Sequence, residues 1–326
     1  METKILELIL ISCFSCVTMF LGFRLIDLKL KKYFSLCYSN EKTSLYHDPI
    51  IRGIGIIYLL AFIPILFSSN HIFFPKDIFI IFSSTIIGFY DDKYGISQIK
   101  KILVLIFTIL SIEIIFDGYN DINLFLLFFK IIFFLFFTLF FNQIDGINGL
   151  AGLTFLVCCI GIFIFPGTII NLETIIPLII IIIIYLNFNF KGNFGIQGEA
   201  GSFFMGAIIF VFVEKINNLN ENIGFILIFL LPVLSDVFAT TLIRFYFEKN
   251  IFKPHKNHLY QRLVNKTKSH FKVSASFAIV QISIILLIHF LDFYESIYKI
   301  PLLLSLFTLF LIANLRISYL IHKEKF

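Results

Sequence analysis

The strongest constraint on the fold is the length of the apolar runs in this sequence. Residues 122–141 and 150–165 are almost purely apolar, and a helix needs about 17 to 25 such residues to span a bilayer. Charged residues make up only 14% of the 326 residues, too few to cover the surface of a water-soluble domain. The sequence therefore predicts an all-α, polytopic integral membrane protein with about 11 transmembrane helices. The candidate spans lie near residues 5–24, 50–68, 74–90, 100–116, 122–141, 149–166, 171–188, 201–213, 223–247, 272–291 and 299–321.

The distribution of basic residues predicts how the chain is oriented. If successive loops alternate sides, most of the 26 Lys and Arg residues fall on one side, and that side is expected to be cytoplasmic. The N-terminus is then outside and the C-terminus cytoplasmic. We interpret residues 1–326 as a single transmembrane domain with cytoplasmic loops near 25–49, 90–99, 142–149, 188–201 and 245–271.

The segment from Phe141 to Gly152 is the clearest candidate site. Asn142, Asp145 and Asn148 stand there between two apolar runs. Glycines in the same segment allow the backbone to approach a ligand closely. We therefore predict that this loop contacts a polar ligand at the membrane edge.

Adjacent carboxylates mark a second loop. Asp91 and Asp92 follow a predicted span directly, and two neighbouring acids near lipid are costly unless a cation shares them. Mg²⁺ commonly uses one or two carboxylates together with phosphate oxygens. A solvated loop with two acids among lysines is the alternative interpretation.

Two further segments suggest phosphate binding. Glu199 lies among glycines just before a predicted helix, and the N–H groups of a helix N-terminus favour anions. Arg52 enters another span beside Gly53 and Gly55, where a guanidinium group can meet a lipid head group or a phosphate.

The last predicted cytoplasmic loop combines basic and aromatic residues. His255 and His258 are three positions apart, and Tyr260, Gln261 and Arg262 follow. Such a pair of histidines shares one face of a helix, although two surface residues would give the same spacing. Asp236 lies inside a predicted span, and an acid in that position is expected to be functional or paired.

Taken together, these motifs resemble the polyprenyl-phosphate N-acetylhexosamine-1-phosphate transferases. This family includes the phospho-MurNAc-pentapeptide translocases and the enzymes that initiate O-antigen synthesis. The matching motifs run from about residue 40 to residue 263 and follow the family's order. The last loop is similar to the O-antigen-initiating branch in particular. The motifs are Asn40 to Gly55, the Asp91-Asp92 pair, Asn142 to Gly152, Pro232 with Asp236, and His255 to Leu263.

The resemblance implies transfer of N-acetylhexosamine-1-phosphate from a UDP-sugar to undecaprenyl phosphate, with release of UMP. It further implies a bacterial inner membrane protein that starts a cell-envelope glycan, with a cytoplasmic-face active site, Mg²⁺ or alternatively Mn²⁺, and no nucleic acid partner. A homodimer is compatible with the sequence. The implied catalytic residues are Asp91, Asp92, Asp145, His255 and His258. The implied substrate-binding residues are Arg52, Asn142, Asn148, Lys100, Tyr260, Gln261 and Arg262. The implied metal ligands are Glu199 and Asp92, with Asp91 open in place of Asp92.

One residue departs from the family pattern. Glu199 stands in Gly-Glu-Ala-Gly-Ser, where the family has Asp as a metal ligand. The charge is kept, but the side chain is one methylene longer. An inactive member of the same fold is therefore one alternative to the transferase.

Three other classes fit less well. A transporter is expected to carry charges near the middle of its spans, whereas most acids here lie in predicted loops. A CDP-alcohol phosphotransferase needs further aspartates after Asp145-Gly146, and a prenyl synthase needs an Asp where Gly95 stands. Only the transporter remains as an alternative from another class.

Overall fold

The structure is a computed structural model of the whole chain. It describes residues 2–26, 31–37, 50–68, 72–118, 123–164, 170–191, 195–217, 224–247, 257–290 and 299–323. Predictions that concern His255 and residues 40–49 lie outside the described residues.

Helices dominate the described residues, as the sequence predicts. They form twelve α-helices, and helix α2 is extended on both sides by 3-10 turns. The helices are α1 (Glu2–Leu25), α2 (Ile57–Phe62), α3 (Pro75–Tyr94), α4 (Gln98–Asp117), α5 (Leu124–Ile144), α6 (Leu150–Ile164), α7 (Leu172–Phe190), α8 (Gly198–Asn217), α9 (Gly224–Phe247), α10 (Leu259–Thr267), α11 (His270–Phe290) and α12 (Lys299–Lys323).

Five of the described helices are long and apolar enough to cross a membrane. They are parts of α1, α5, α7, α9 and α11. Helices α3, α4 and α8 contain 20 residues each, but each carries charged residues near both of its ends. These five helices confirm the prediction of a helical, multi-pass membrane protein. The count of about 11 spans stays a prediction.

A small β-sheet is a feature that the sequence did not predict. Its strands are β1 (Ser35–Cys37), β2 (Ile50–Arg52) and β3 (Gly195–Ile196), in the order β1-β2-β3. Strand β2 is antiparallel to β1 and parallel to β3. The register places Arg52 opposite Ile196. This pairing brings a residue of the first loop beside the start of α8.

The chain divides into two compact units. The first contains Met1–Ser39, Tyr46–Asn142 and Ile169–Lys215, and the second contains Asn40–Leu45, Gln143–Thr168 and Ile216–Phe326. In the first unit, α1 packs on α7 and α3 packs on α4. In the second unit, α9 packs on α11 and α12, and α6 packs on α11.

Local sequence signals fix where the polar residues of the first unit lie. Helix α3 begins at Pro75, and the carboxylate of Asp77 accepts a hydrogen bond of 2.8 Å from the N–H of Phe74. Such side-chain caps satisfy the first N–H groups of a helix. The helix ends before Gly95, which has φ +70°, a backbone conformation that favours glycine. Asp91 therefore lies in the last turn of α3, ahead of the first turn of α4.

Candidate functional site

Asp92 is the centre of the candidate site in the first unit. Its Oδ1 atom accepts a hydrogen bond of 2.8 Å from Nε of Arg52. The backbone N–H of Glu199 donates to Oδ1 at 2.9 Å, and that of Ala200 donates to Oδ2 at 3.0 Å. Asp92 thereby caps the N-terminus of α8, where a negative charge is favoured by the helix dipole.

This close approach depends on glycine at position 198. Gly198 has φ +68°, and a Cβ atom there would overlap the carboxylate oxygens of Asp92. An L-residue rarely adopts that backbone conformation. The Gly-rich segment before α8 therefore positions a carboxylate of α3 against backbone N–H groups.

Lys101 connects the other two carboxylates of the site. Its Nζ atom lies 2.5 Å from Oδ2 of Asp91 and 2.5 Å from Oε2 of Glu199. The Lys101 side chain is only 1% exposed. Arg52 also approaches Glu199, with Nη2 3.7 Å from Oε1. We call these five residues, Arg52, Asp91, Asp92, Lys101 and Glu199, the site cluster.

The site cluster contains three acids and two bases, so Glu199 shares Lys101 with Asp91 and Arg52 with Asp92. Burial and the hydrogen bond with Asp91 together raise the pKa of Glu199 to about 8, against the lowering effect of Lys101. Burial also acts to raise the pKa of Asp91, but hydrogen bonds with Glu199 and Lys101 outweigh it, and the net direction is down. A proton shared by this pair is therefore held by Glu199.

The donor chemistry of the site cluster fits a hard divalent cation. Within the described ranges, no three Asp, Glu, His or Cys side chains converge to enclose a metal by themselves. Asp91 and Glu199 nevertheless hold one positive centre, the Lys101 ammonium, between two carboxylate oxygens. Mg²⁺ is usually bound by one or two carboxylates and completes its shell with water and phosphate oxygens. Asp91 and Glu199 could hold it in this way.

A second polar cluster lies in the second unit around Asp236. Its side chain is buried, and Oδ1 accepts a hydrogen bond of 2.8 Å from the N–H of Leu259. Oδ2 accepts one of 3.3 Å from the N–H of Tyr260, and the Thr240 hydroxyl lies 3.2 Å from Oδ1. Asp236 therefore caps the N-terminus of α10, which places His258, Tyr260, Gln261 and Arg262 at one helix start.

Tyr260 joins this helix start to the last turn of α5. Its hydroxyl donates a hydrogen bond of 2.6 Å to the carbonyl of Gln143. Burial, with added effects of Asp236 and Asp145, raises the pKa of Tyr260 well above its usual value, so the phenol stays protonated and remains a donor. The His258 ring stacks on the Tyr260 ring with centroids 5.0 Å apart.

Asn148 is held by the start of α11. The N–H of Asn148 donates to Nδ1 of His270 at 3.1 Å, and the Ser274 hydroxyl donates to the Asn148 carbonyl at 2.7 Å. Asn148 is 6% exposed, whereas Asp145 is half-buried. These contacts fix the backbone of the loop and leave Asp145 nearer its surface.

The predicted site residues thus fall into two groups. Arg52, Asp91, Asp92 and Glu199 come together in the first unit. Lys100 lies exposed on α4 beside this group, and Asn142 is half-buried near the end of α5. The second group, all in the second unit, consists of Asp145, Asn148, His258, Tyr260, Gln261 and Arg262.

Three residues with evident roles escaped the sequence reasoning. Lys101 bridges two acids of the site cluster, Gln143 accepts from Tyr260, and His270 accepts from Asn148. The buried face of α4 continues from Lys101 through Leu105 and Ile109, at the spacing of one helix face. That spacing alone does not separate Lys101 from Lys100 in the sequence, because α4 is apolar at most positions beyond both lysines.

Comparison with known proteins gives one family match, and it covers most of the first group. Residues 77–217, somewhat less than half of the chain, match the sequence model of glycosyl transferase family 4. The matched segment contains every member of the site cluster except Arg52. A comparison with curated proteins gave no match. The family match supports a glycosyl or phospho-sugar transferase in general terms.

Proposed function

We propose that this protein transfers a sugar phosphate from a nucleotide diphosphate sugar to a polyprenyl phosphate in the membrane. The observation that carries the proposal is the site cluster, where three acids from α3 and α8 meet two bases at a helix N-terminus. The family match over residues 77–217 supports it independently. The donor we infer is a UDP-N-acetylhexosamine, the acceptor is undecaprenyl phosphate, and the product initiates a cell-envelope glycan of the O-antigen type.

In the proposed reaction, an oxygen of the prenyl phosphate attacks the β-phosphorus of the UDP-sugar. The new bond joins that oxygen to the β-phosphorus, and the bond to the UMP oxygen breaks, so UMP leaves. Arg52 is half-buried and reaches both Asp92 and Glu199. A guanidinium group in this position suits a phosphate oxygen, because guanidinium groups bind phosphates through several donors.

Acids in the site cluster would orient the reacting phosphate and hold protons. Asp91 has the lower pKa of the pair with Glu199, so it is the acid that stays ionised and can accept a hydrogen bond from the attacking phosphate. Asp92 is engaged by Arg52 and by two backbone N–H groups. We therefore infer that Asp92 positions the start of α8 and Arg52.

A Mg²⁺ ion bound by Glu199 and Asp91 would neutralise charge that builds on the diphosphate. The sequence prediction named Glu199 with Asp92, and left Asp91 open in place of Asp92; Asp91 is the acid that shares a cation with Glu199 in the structure. The roles predicted for Asp145, Asn148, His258, Tyr260, Gln261 and Arg262 in binding nucleotide and sugar stay predictions. So do the inner membrane location, the orientation and a homodimer.

The direct test is UMP release by the purified protein. It uses undecaprenyl phosphate, a panel of UDP-N-acetylhexosamines, and buffers with and without Mg²⁺. We expect release that needs both the lipid and the metal, and a fall of at least about 100-fold in Asp92→Asn, because a preorganised charge partner is lost.

Glu199→Asp is the informative companion variant. Release by the wild type but less by the variant would show that the longer acid is adapted to this site. Release by the variant alone would identify the wild type as an inactive member of the fold. No release by either form, with folded protein, would contradict the transferase and favour the transporter alternative.

A further inference from the structure

The feature that carries a further inference is the position of the Lys101 ammonium. It lies 2.5 Å from an oxygen of Asp91 and 2.5 Å from an oxygen of Glu199. The side chain is 1% exposed, whereas the adjacent Lys100 is exposed. A buried lysine is tolerated only when its charge is paired. The Lys101 ammonium is therefore a cation of the protein itself, and it lies between the two acids that would bind a metal.

A divalent ion and the ammonium cannot share this position. Mg²⁺ binds carboxylate oxygens at about 2.0 to 2.1 Å, so it would occupy the space between the same two oxygens. Two cations in contact within a buried site repel strongly. Metal entry therefore requires Lys101 to move away from at least one of the two carboxylates.

We propose that Lys101 is a positioning residue that competes with the divalent cation for Asp91 and Glu199. In metal-free protein the ammonium keeps the two buried acids together. When the metal binds, the lysine is released and its charge becomes available to an anionic group. This inference rests on the proposed function, because it assumes that the site takes a divalent cation.

Glu199 is well suited to this exchange. Its two oxygens face two different bases, Oε2 toward Lys101 and Oε1 toward Arg52 at 3.7 Å. When Lys101 leaves, Arg52 still lies close to the same carboxylate. The acid therefore keeps a basic neighbour throughout, and only one of its oxygens exchanges a cation.

The test measures metal binding to Lys101→Met without any substrate. Mn²⁺ serves as the probe, and free Mn²⁺ is measured by electron paramagnetic resonance during titration of the detergent-purified protein. We expect Mn²⁺ to bind about tenfold more tightly to the variant, a change typical of coupled binding equilibria. Lys93→Met is the matched control, since Lys93 is exposed at the end of α3 and its loss removes the same charge. The Mn²⁺ affinity of Lys93→Met should stay within about twofold of that of the wild type.

A measurement on the wild type covers the case in which the variant does not fold. Lysines are labelled briefly with acetic anhydride, and modification is quantified by mass spectrometry with Lys93 as the internal reference. We expect Lys101 to be protected without metal and labelled several times faster with Mn²⁺.

Each result bears on one of the two proposals. The proposal that Lys101 competes with the metal would be overturned if Lys101→Met bound Mn²⁺ no more tightly than the wild type. It would also be overturned if Mn²⁺ did not increase the labelling of Lys101. Absence of Mn²⁺ binding to every form would overturn it as well. If UMP release still requires Mg²⁺ in those cases, the transferase proposal stands and only the role of Lys101 is wrong.

Discussion

Helices α3, α4 and α8 carry buried charges at both of their ends, and the two ends differ. One end holds the site cluster. At the other end lies a distal cluster, formed by Lys76, Asp77, Glu113, Lys130, Glu214 and Lys215. Asp77 and Asp91 are 14 residues apart on α3, so the two clusters are separated by about 20 Å along the helix.

The distal cluster is balanced, with three acids and three bases. Lys130 lies 3.0 Å from Glu113 and 3.1 Å from Glu214, and Lys76 lies 2.8 Å from Glu113. Lys215 pairs with Asp77 at 2.6 Å. These pairs join α3, α4, α5 and α8, and each acid has a basic partner. We infer that the distal cluster holds the helices together.

The site cluster has three acids for two bases. Buried ion pairs alone therefore do not identify a functional site in this protein. What distinguishes the site cluster is that its acids outnumber its bases by three to two. The comparison predicts that changes at the two ends have different consequences.

The largest effect is expected for Gly198→Ala. The new methyl group overlaps the Asp92 carboxylate, so Asp92 must leave the N-terminus of α8. We expect UMP release to fall by at least about 100-fold, because the site loses its preorganised geometry. Gly118→Ala is the matched control, since Gly118 also has positive φ but has no atom within 4 Å of the added methyl group. Equal losses in both variants would show that backbone strain alone explains the effect.

A smaller effect on activity is expected for Lys130→Met in the distal cluster. The change leaves Glu113 and Glu214 without one of their bases. We expect a loss of about 1 to 3 kcal/mol in the free energy of unfolding, less than for a fully buried pair because the Lys130 side chain is 30% exposed. Thermal unfolding in detergent measures this loss. UMP release per folded molecule should change less than about threefold.

Adding Glu214→Gln to Lys130→Met should recover part of that stability, since it removes one unpaired acid. A loss of UMP release in Lys130→Met as large as in Gly198→Ala would contradict the division of roles between the clusters.

The acids of the site cluster were predictable from the sequence, and their partners were not. Asp91, Asp92 and Glu199 stand out because a carboxylate in such an apolar chain is costly without a partner. Lys101 does not stand out, because it follows Lys100 directly and α4 is apolar on most faces beyond it. Only the packing of α4 on α3 separates the buried lysine from the exposed one.

The contact between Arg52 and Asp92 depends on the small sheet. Strands of two or three residues are too short to show the alternation that predicts a strand. The pairing of β2 with β3 joins segments more than 140 positions apart, and no local signal encodes it. The contacts of Asp236 were equally unpredictable from local sequence. The sequence marked Asp236 as an intramembrane acid but did not reveal that it caps α10.

The most direct test of the account compares Glu199→Gln with Glu214→Gln. Both residues lie on α8, near opposite ends, and both substitutions replace a carboxyl group by an amide of nearly the same shape. The account predicts that Glu199→Gln lowers UMP release by at least about 100-fold. Glu214→Gln should stay within about threefold of the wild type. Equal losses in the two variants, or a larger loss in Glu214→Gln, would contradict the claim that the site cluster is the reaction centre.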